Sequence, residues 1–135
     1  MAPAVSPDLR SGRRIDFRTF VWALCLCSAF IATHTPPPEK PAPMILNDKF
    51  LHFMGFCAIG VVTVWRVLGP NPRVSLAVLV AWLAFLLIYA ALDETTQQLV
   101  GRDCEFGDWL ADAIGAIVGM SICATIARFR RVETA

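Results

Sequence analysis

Four apolar stretches divide the chain, at about Phe17–Thr33, Phe50–Leu68, Val74–Leu92 and Trp109–Ala127. A helix that crosses a bilayer needs roughly 17–25 residues at ~1.5 Å rise each. All four stretches fall in that range. The third carries no charge at all, and as a helix it would cover about 28 Å, close to the ~30 Å hydrocarbon core. A helix of a soluble bundle sets an apolar stripe against a charged face; the third stretch has no such face. A membrane barrel needs alternating residues, and Leu76–Leu92 does not alternate. All nine prolines lie outside the four stretches, five of them between Pro36 and Pro43 and two more at Pro70 and Pro72. Proline removes a backbone donor and marks connectors, and backbone in lipid must bond within its own segment. The pattern predicts an all-α integral membrane bundle of four transmembrane helices. Residues 1–16 form a basic tail, 17–129 the membrane domain and 130–135 a second tail.

Composition agrees. Hydrophobic residues make up 56% of the 135 and charged residues 17%, against roughly 45–50% and 25% in soluble domains. Disorder needs the opposite balance. A net charge of +1 excludes a nucleic-acid binder held by bulk positive charge. The signs are segregated along the chain. Arg10, Arg13, Arg14, Arg18, Arg66, Arg73, Arg128, Arg130 and Arg131 fall on one side of the four-span topology, and only Lys40, Lys49 and Arg102 on the other. Positive charge marks the cytoplasmic side, so both termini are expected there. Arginines before the first stretch and Ser28-Ala29-Phe30 near its end resemble a cleaved leader. Nothing after it resembles an exported soluble domain, so a retained helix is expected. Cys25, Cys27, Cys57 and Cys123 lie in the stretches and Cys104 in a connector, a distribution with no metal spacing and no disulfide framework.

Polar residues gather at one level, the outer one in this topology. The proline-rich connector is expected to be extended. It leads to Asn47, placed to cap the second helix, then Asp48, Lys49 and His52, which helical spacing puts on one face. His52 lies one turn into the membrane, where a histidine faces protein or water. The third stretch runs into Asp93, Glu94, Gln97 and Gln98 without a glycine or proline break. One of the two carboxylates is expected at a solvated helix end, the other inside. Gly101–Gly107 carries Arg102, Cys104 and Glu105, and Asp108, Asp112, Gly115 and Gly119 then share a helix face. Asp108 suits the helix start; Asp112 sits about 6 Å deeper and needs a partner. Gly115 and Gly119 form a GxxxG packing motif. Ionisable residues gathered at a membrane boundary are a functional-site hypothesis; a structural ion-pair network is the alternative.

In this order the residues resemble the VanZ-like family of small bacterial membrane proteins, named for an accessory protein in teicoplanin resistance. Its pattern of Asp-Lys-x-x-His corresponds to Asp48, Lys49 and His52; its Glu-x-x-Gln to Glu94 and Gln97; and its later Arg, Asp and Asn/Asp to Arg102, Asp108 and Asp112, followed by glycines at Gly115 and Gly119. The chain departs once: it lacks the Pro-Gly-Arg turn and one residue before Arg102, which leaves Gln97 and Gln98 as alternatives for the family position. The resemblance spans about Asp48 to Gly119. It implies a multi-pass protein of the bacterial cytoplasmic (inner) membrane with a role in cell-envelope physiology or glycopeptide resistance, and no settled reaction or cofactor.

Three functions fit these residues. In the first, the cluster Asp48, Lys49, His52, Glu94, Gln97, Arg102, Asp108 and Asp112 binds a lipid headgroup, a peptidoglycan precursor, a glycopeptide or a membrane partner without chemistry. In the second, it is a small membrane enzyme on a lipid-linked or phosphorylated substrate, with His52, Glu94 and Asp112 as proton-transfer candidates and Lys49 and Arg102 holding an anion; no nucleophile is evident. The excess acid also suits a divalent cation such as Mg²⁺ or Ca²⁺. The third, a cation or proton pathway, is weakest, because only Thr63, Ser121 and Thr125 are polar in the inner halves. Nothing in the pattern sets an oligomeric state.

Overall fold

The structure, a computed structural model, describes residues 16–35, 48–69 and 74–132. The described residues form four α-helices and one short 3₁₀ turn, with no strand: α1 (Phe17–Thr33), α2 (Asp48–Leu68), α3 (Leu76–Gln97) and α4 (Phe106–Val132), with the 3₁₀ turn at Gln98–Val100. The segments holding α2, α3 and α4 are long and apolar enough to cross a membrane, and α1 is a shorter apolar helix. Asn47 and the proline-rich connector lie outside the described residues.

Local chemistry sets the ends of the helices. Asp16 caps α1, accepting from the backbone N–H of Arg18 at 2.8 Å and of Thr19 at 3.0 Å. These bonds, that of Thr19 foremost, hold its carboxyl below the usual carboxylate range. Ser75 caps α3. Gly101, at φ 76°, closes the 3₁₀ turn in the left-handed region that glycine enters without a Cβ penalty. The apolar limits at Phe50, Leu92 and Trp109 understate α2, α3 and α4. Hydropathy marks where lipid contact ends, whereas a helix continues as long as its own bonds can close. In α3 the hydroxyls of Thr95 and Thr96 donate to the carbonyls of Ala91 and Leu92 at 2.8 and 2.7 Å, so neither side chain competes with the helix from outside.

Successive helices alternate in direction, which brings the end of α1, the start of α2, the end of α3 and the start of α4 to one level. The tightest pairing is between the parallel helices α2 and α4. A Cβ on Gly60 would lie 2.6 Å from the Ala116 carbonyl oxygen; one on Gly115 would run into the Phe53 carbonyl, and one on Gly119 into that of Cys57. GxxxG is therefore satisfied inside the chain, with Gly60 as a third contact from the opposite helix. Below the polar level the core is apolar, built from Phe56, Ile59, Val64, Leu86, Ala90, Ala116 and Met120.

The far end of the bundle is aromatic and basic. Arg66 packs against the rings of both Trp22 and Trp82, 4.9 and 5.0 Å from their centroids. Arg18 donates to the carbonyls of Trp65 and Gly69, at 2.9 and 2.7 Å, capping α2. These arginines sit opposite Lys49 and Arg102, the segregation expected from the charge count.

Gly119→Leu should destabilise the folded protein by about 1–3 kcal/mol or more, because the side chain meets backbone that cannot yield. Gly55→Ala should be neutral or stabilising by up to ~1 kcal/mol, since a Cβ there meets open space. Equilibrium unfolding in detergent, followed by helical circular dichroism, measures both.

Candidate functional site

The polar level is a continuous network. From α2, His52 turns toward α4, and its Nδ1 lies 3.0 Å from Asp112 Oδ1 and 3.8 Å from Glu94 Oε1. Gln97 Nε2 donates to Glu94 Oε1 at 2.9 Å and to Asp93 Oδ2 at 3.3 Å. The backbone N–H of Glu105 donates to Glu94 Oε2 at 3.2 Å. From α1, the Thr33 hydroxyl donates to Asp93 Oδ1 at 3.0 Å, and the His34 ring lies 3.7 Å from the same oxygen. His34 Nε2 also lies 2.9 Å from the Thr96 hydroxyl. All four helices thus contribute.

Burial is deep. Asp112 is 0% exposed, Gln97 1%, Asp93 and Glu94 2% each, and His52 6%. A buried carboxylate is costly unless it is paired and hydrogen-bonded, and Asp93 and Glu94 each have several partners. Asp112 differs: its Oδ1 faces His52, but its buried Oδ2 has no hydrogen-bond partner.

Around this interior lies a more open rim. Lys49 Nζ reaches Glu105 Oε2 at 2.6 Å and Asp108 Oδ1 at 2.9 Å. A Cβ on Gly107 would lie 2.9 Å from Lys49 Cε, so the glycine makes room for the lysine stem. Arg102 Nη2 pairs with Asp48 Oδ2 at 3.0 Å, where the Asp48 side chain is half exposed. Arg102, Asp48, Thr33 and His52 line a cleft of about 170 Å³ that opens between α1 and α2, with Ala29, Ala32, Leu51, Gly55 and Phe56 as its apolar wall.

Every residue singled out in the sequence as a site candidate lies at this level. Asp48, Lys49 and His52 begin on neighbouring positions but reach three different partners. Asp108 stands in the first turn of α4, as its helix-start reading required, and also holds Lys49. Of the two glutamines, Gln97 enters the network and Gln98 is exposed. One expectation is corrected: neither Asp93 nor Glu94 is a solvated helix end. Because α3 runs on to Gln97, both carboxylates turn inward, one toward α1 and the other toward α2 and α4. Sequence reasoning counted Asp93 among the outer acids without assigning it a role, and it missed Thr33, His34, Thr96 and Gly107. The signal available for the α1 pair was the abrupt change from an apolar run to Thr33-His34 at the level where α3 turns acidic.

Chemically, the interior joins a histidine to two carboxylates, a set suited to moving a proton or holding a cation. Among the described residues the partners of the His52 ring are the carboxylates of Asp112 and Glu94 rather than a hydroxyl or thiol, an arrangement that activates no nucleophile.

The VanZ/LLP1 family profile matches residues 29–128, from the second half of α1 through most of α4. The chain belongs to the VanZ/LLP1 family. The match takes in Thr33 and His34 as well as the α2–α4 residues, so every side chain of the network lies within it. No curated protein and no solved structure matches this VanZ/LLP1 chain.

Asp112→Ala should cost about 1–3 kcal/mol, the penalty for leaving the buried His52 Nδ1 without its hydrogen-bond partner. Arg102→Ala should cost less than about 1 kcal/mol, as for an exposed pair. Chemical denaturation of the two variants in parallel separates interior from rim.

Proposed function

We propose that this VanZ/LLP1 protein is a four-span protein of the bacterial cytoplasmic membrane with both termini in the cytoplasm. Its cleft takes an anionic group of the cell envelope, a lipid headgroup or a lipid-linked peptidoglycan precursor, and through it lowers sensitivity to teicoplanin-type glycopeptides. The observation that carries this reading is Arg102 lining the cleft, paired among the described residues with a half-exposed Asp48. An exposed pair is worth about 0–1 kcal/mol, so the guanidinium can exchange Asp48 for a ligand phosphate or carboxylate at little cost and hold it bidentately. The apolar wall of the cleft suits the first carbons of an acyl or prenyl chain. The buried interior behind it keeps the floor of the cleft rigid.

Binding is favoured over chemistry because the groups nearest His52 are carboxylates. A pathway through the membrane is disfavoured because the described core below His52 is apolar, and because Thr63 is already engaged: its hydroxyl donates to Ile59 O at 2.8 Å and accepts from Trp22 Nε1 at 3.0 Å. The arginines at the Trp22, Trp65 and Trp82 end support this orientation, since positive charge is retained inside.

Two measurements test this reading. Cys104 is exposed among the described cysteines and stands at the cleft end. A membrane-impermeant maleimide should label it in intact spheroplasts; labelling only after lysis would reverse the topology. Arg102→Ala and Gly55→Leu, which removes the anion partner or fills the cleft, should accumulate normally in the membrane. Each should bring teicoplanin sensitivity to that of a strain lacking the gene, with a smaller effect on vancomycin. Wild-type sensitivity in both variants would discard the cleft as the functional site.

A further inference from the structure

We infer that His52, Glu94 and Asp112 form a binding site for one divalent first-row transition-metal ion of the Zn²⁺ class. The site goes beyond the headgroup reading and does not require it. The three residues come from three helices, and each can offer one ligand atom such that all three atoms lie within 4.8 Å of one another. Ligand atoms held 2.0–2.1 Å from a tetrahedral ion lie about 3.3 Å apart. The observed separations from His52 Nδ1, 3.0 Å to Asp112 Oδ1 and 3.8 Å to Glu94 Oε1, bracket that value. Convergence of buried acids alone would not identify a site. The independent sign is Asp112 Oδ2, a fully buried carboxylate oxygen with no hydrogen-bond partner, whereas the other buried side-chain polar atoms among the described residues are satisfied, as is usual. An ion held by both oxygens of this carboxylate, or by Oδ2 while Oδ1 stays on His52, would satisfy it.

The surroundings are those of a metal site. Ligating carboxylates are oriented by outer hydrogen bonds, and Glu94 receives two, from Gln97 Nε2 and from the Glu105 backbone N–H. One imidazole nitrogen with two carboxylate oxygens favours Zn²⁺, Mn²⁺ or Fe²⁺ over Ca²⁺, which takes 6–8 oxygen ligands. Three protein ligands leave a tetrahedral ion one open position. Because His52 also lines the cleft, the ion would stand one side chain away from a group bound there.

The test uses full-length protein in detergent or nanodiscs, stripped of metal with a chelator and then titrated calorimetrically with Zn²⁺, with Mn²⁺ and with Co²⁺, whose visible spectrum reports coordination. One ion per chain is expected. His52→Ala, Glu94→Gln and Asp112→Asn should each weaken binding at least tenfold, and Gln97→Ala by about 10–100-fold, as for loss of an orienting partner. Asp48→Asn should retain binding, which separates this site from the neighbouring set of Asp48, His52 and Asp108. No stoichiometric binding of any of the three ions to the wild-type chain would overturn the inference, even if every variant misfolds. So would binding unaffected by Asp112→Asn or Glu94→Gln, or lost on Asp48→Asn. None of these readouts uses a headgroup or an antibiotic, so their failure would leave the cleft reading standing.

Discussion

The contact between α2 and α4 is the constraint on which the rest of the structure depends. Asp112 is fully buried between the helices, and a lone carboxylate there would be expensive. It is tolerated because His52 reaches it at 3.0 Å, from a helix whose backbone touches that of α4 just below this level. Gly60, Gly115 and Gly119 allow this, since a Cβ on any of them would meet the facing main chain. Between helices in lipid the hydrophobic effect supplies little drive, so close packing and interhelical hydrogen bonds carry the association. Here the two are one design: the glycines lower down set the spacing that the polar pair above needs.

The two ends of the bundle solve opposite problems. At the aromatic end Arg18 and Arg66 are engaged internally. Arg18 caps α2 through two carbonyls, and Arg66 packs on two indole rings and donates to the Thr19 hydroxyl at 3.1 Å. Such arginines anchor rather than recognise. At the other end the interior is locked, while the rim is held by weaker, solvent-facing contacts at Arg102 and Asp48. A rigid floor beneath an exchangeable rim is the arrangement expected of a binding site, since the interior loses no freedom when the rim changes partners.

The bundle was legible because its signals are local. Apolar length, proline placement and arginine position each depend on a few neighbouring residues, and α1 runs over the same Phe17–Thr33 that the apolar pattern marks. The α2–α4 half of the site was also legible, because Asp48, His52, Asp108, Asp112 and the glycines stand at helical spacing, and spacing on a helix is geometry. What could not be read was the fate of Asp93 and Glu94. Two adjacent acids at the end of an apolar run are compatible with water, and whether both turn inward depends on what stands opposite. Thr33 and His34 supply the answer for Asp93, from sixty residues earlier in the chain.

The sequence by itself determined that this chain forms apolar helices with their polar residues at one level, because hydropathy and helical period are properties of short segments. It also determined that another helix could approach α4 closely at Gly115 and Gly119, because only glycine leaves the room. The tertiary structure alone decided which acid meets which base: His52 takes Asp112, Lys49 takes Glu105 and Asp108, and Arg102 takes Asp48. It alone left one carboxylate oxygen without a partner. Those choices turn on distances of a few tenths of an ångström between separate helices, which no local pattern encodes.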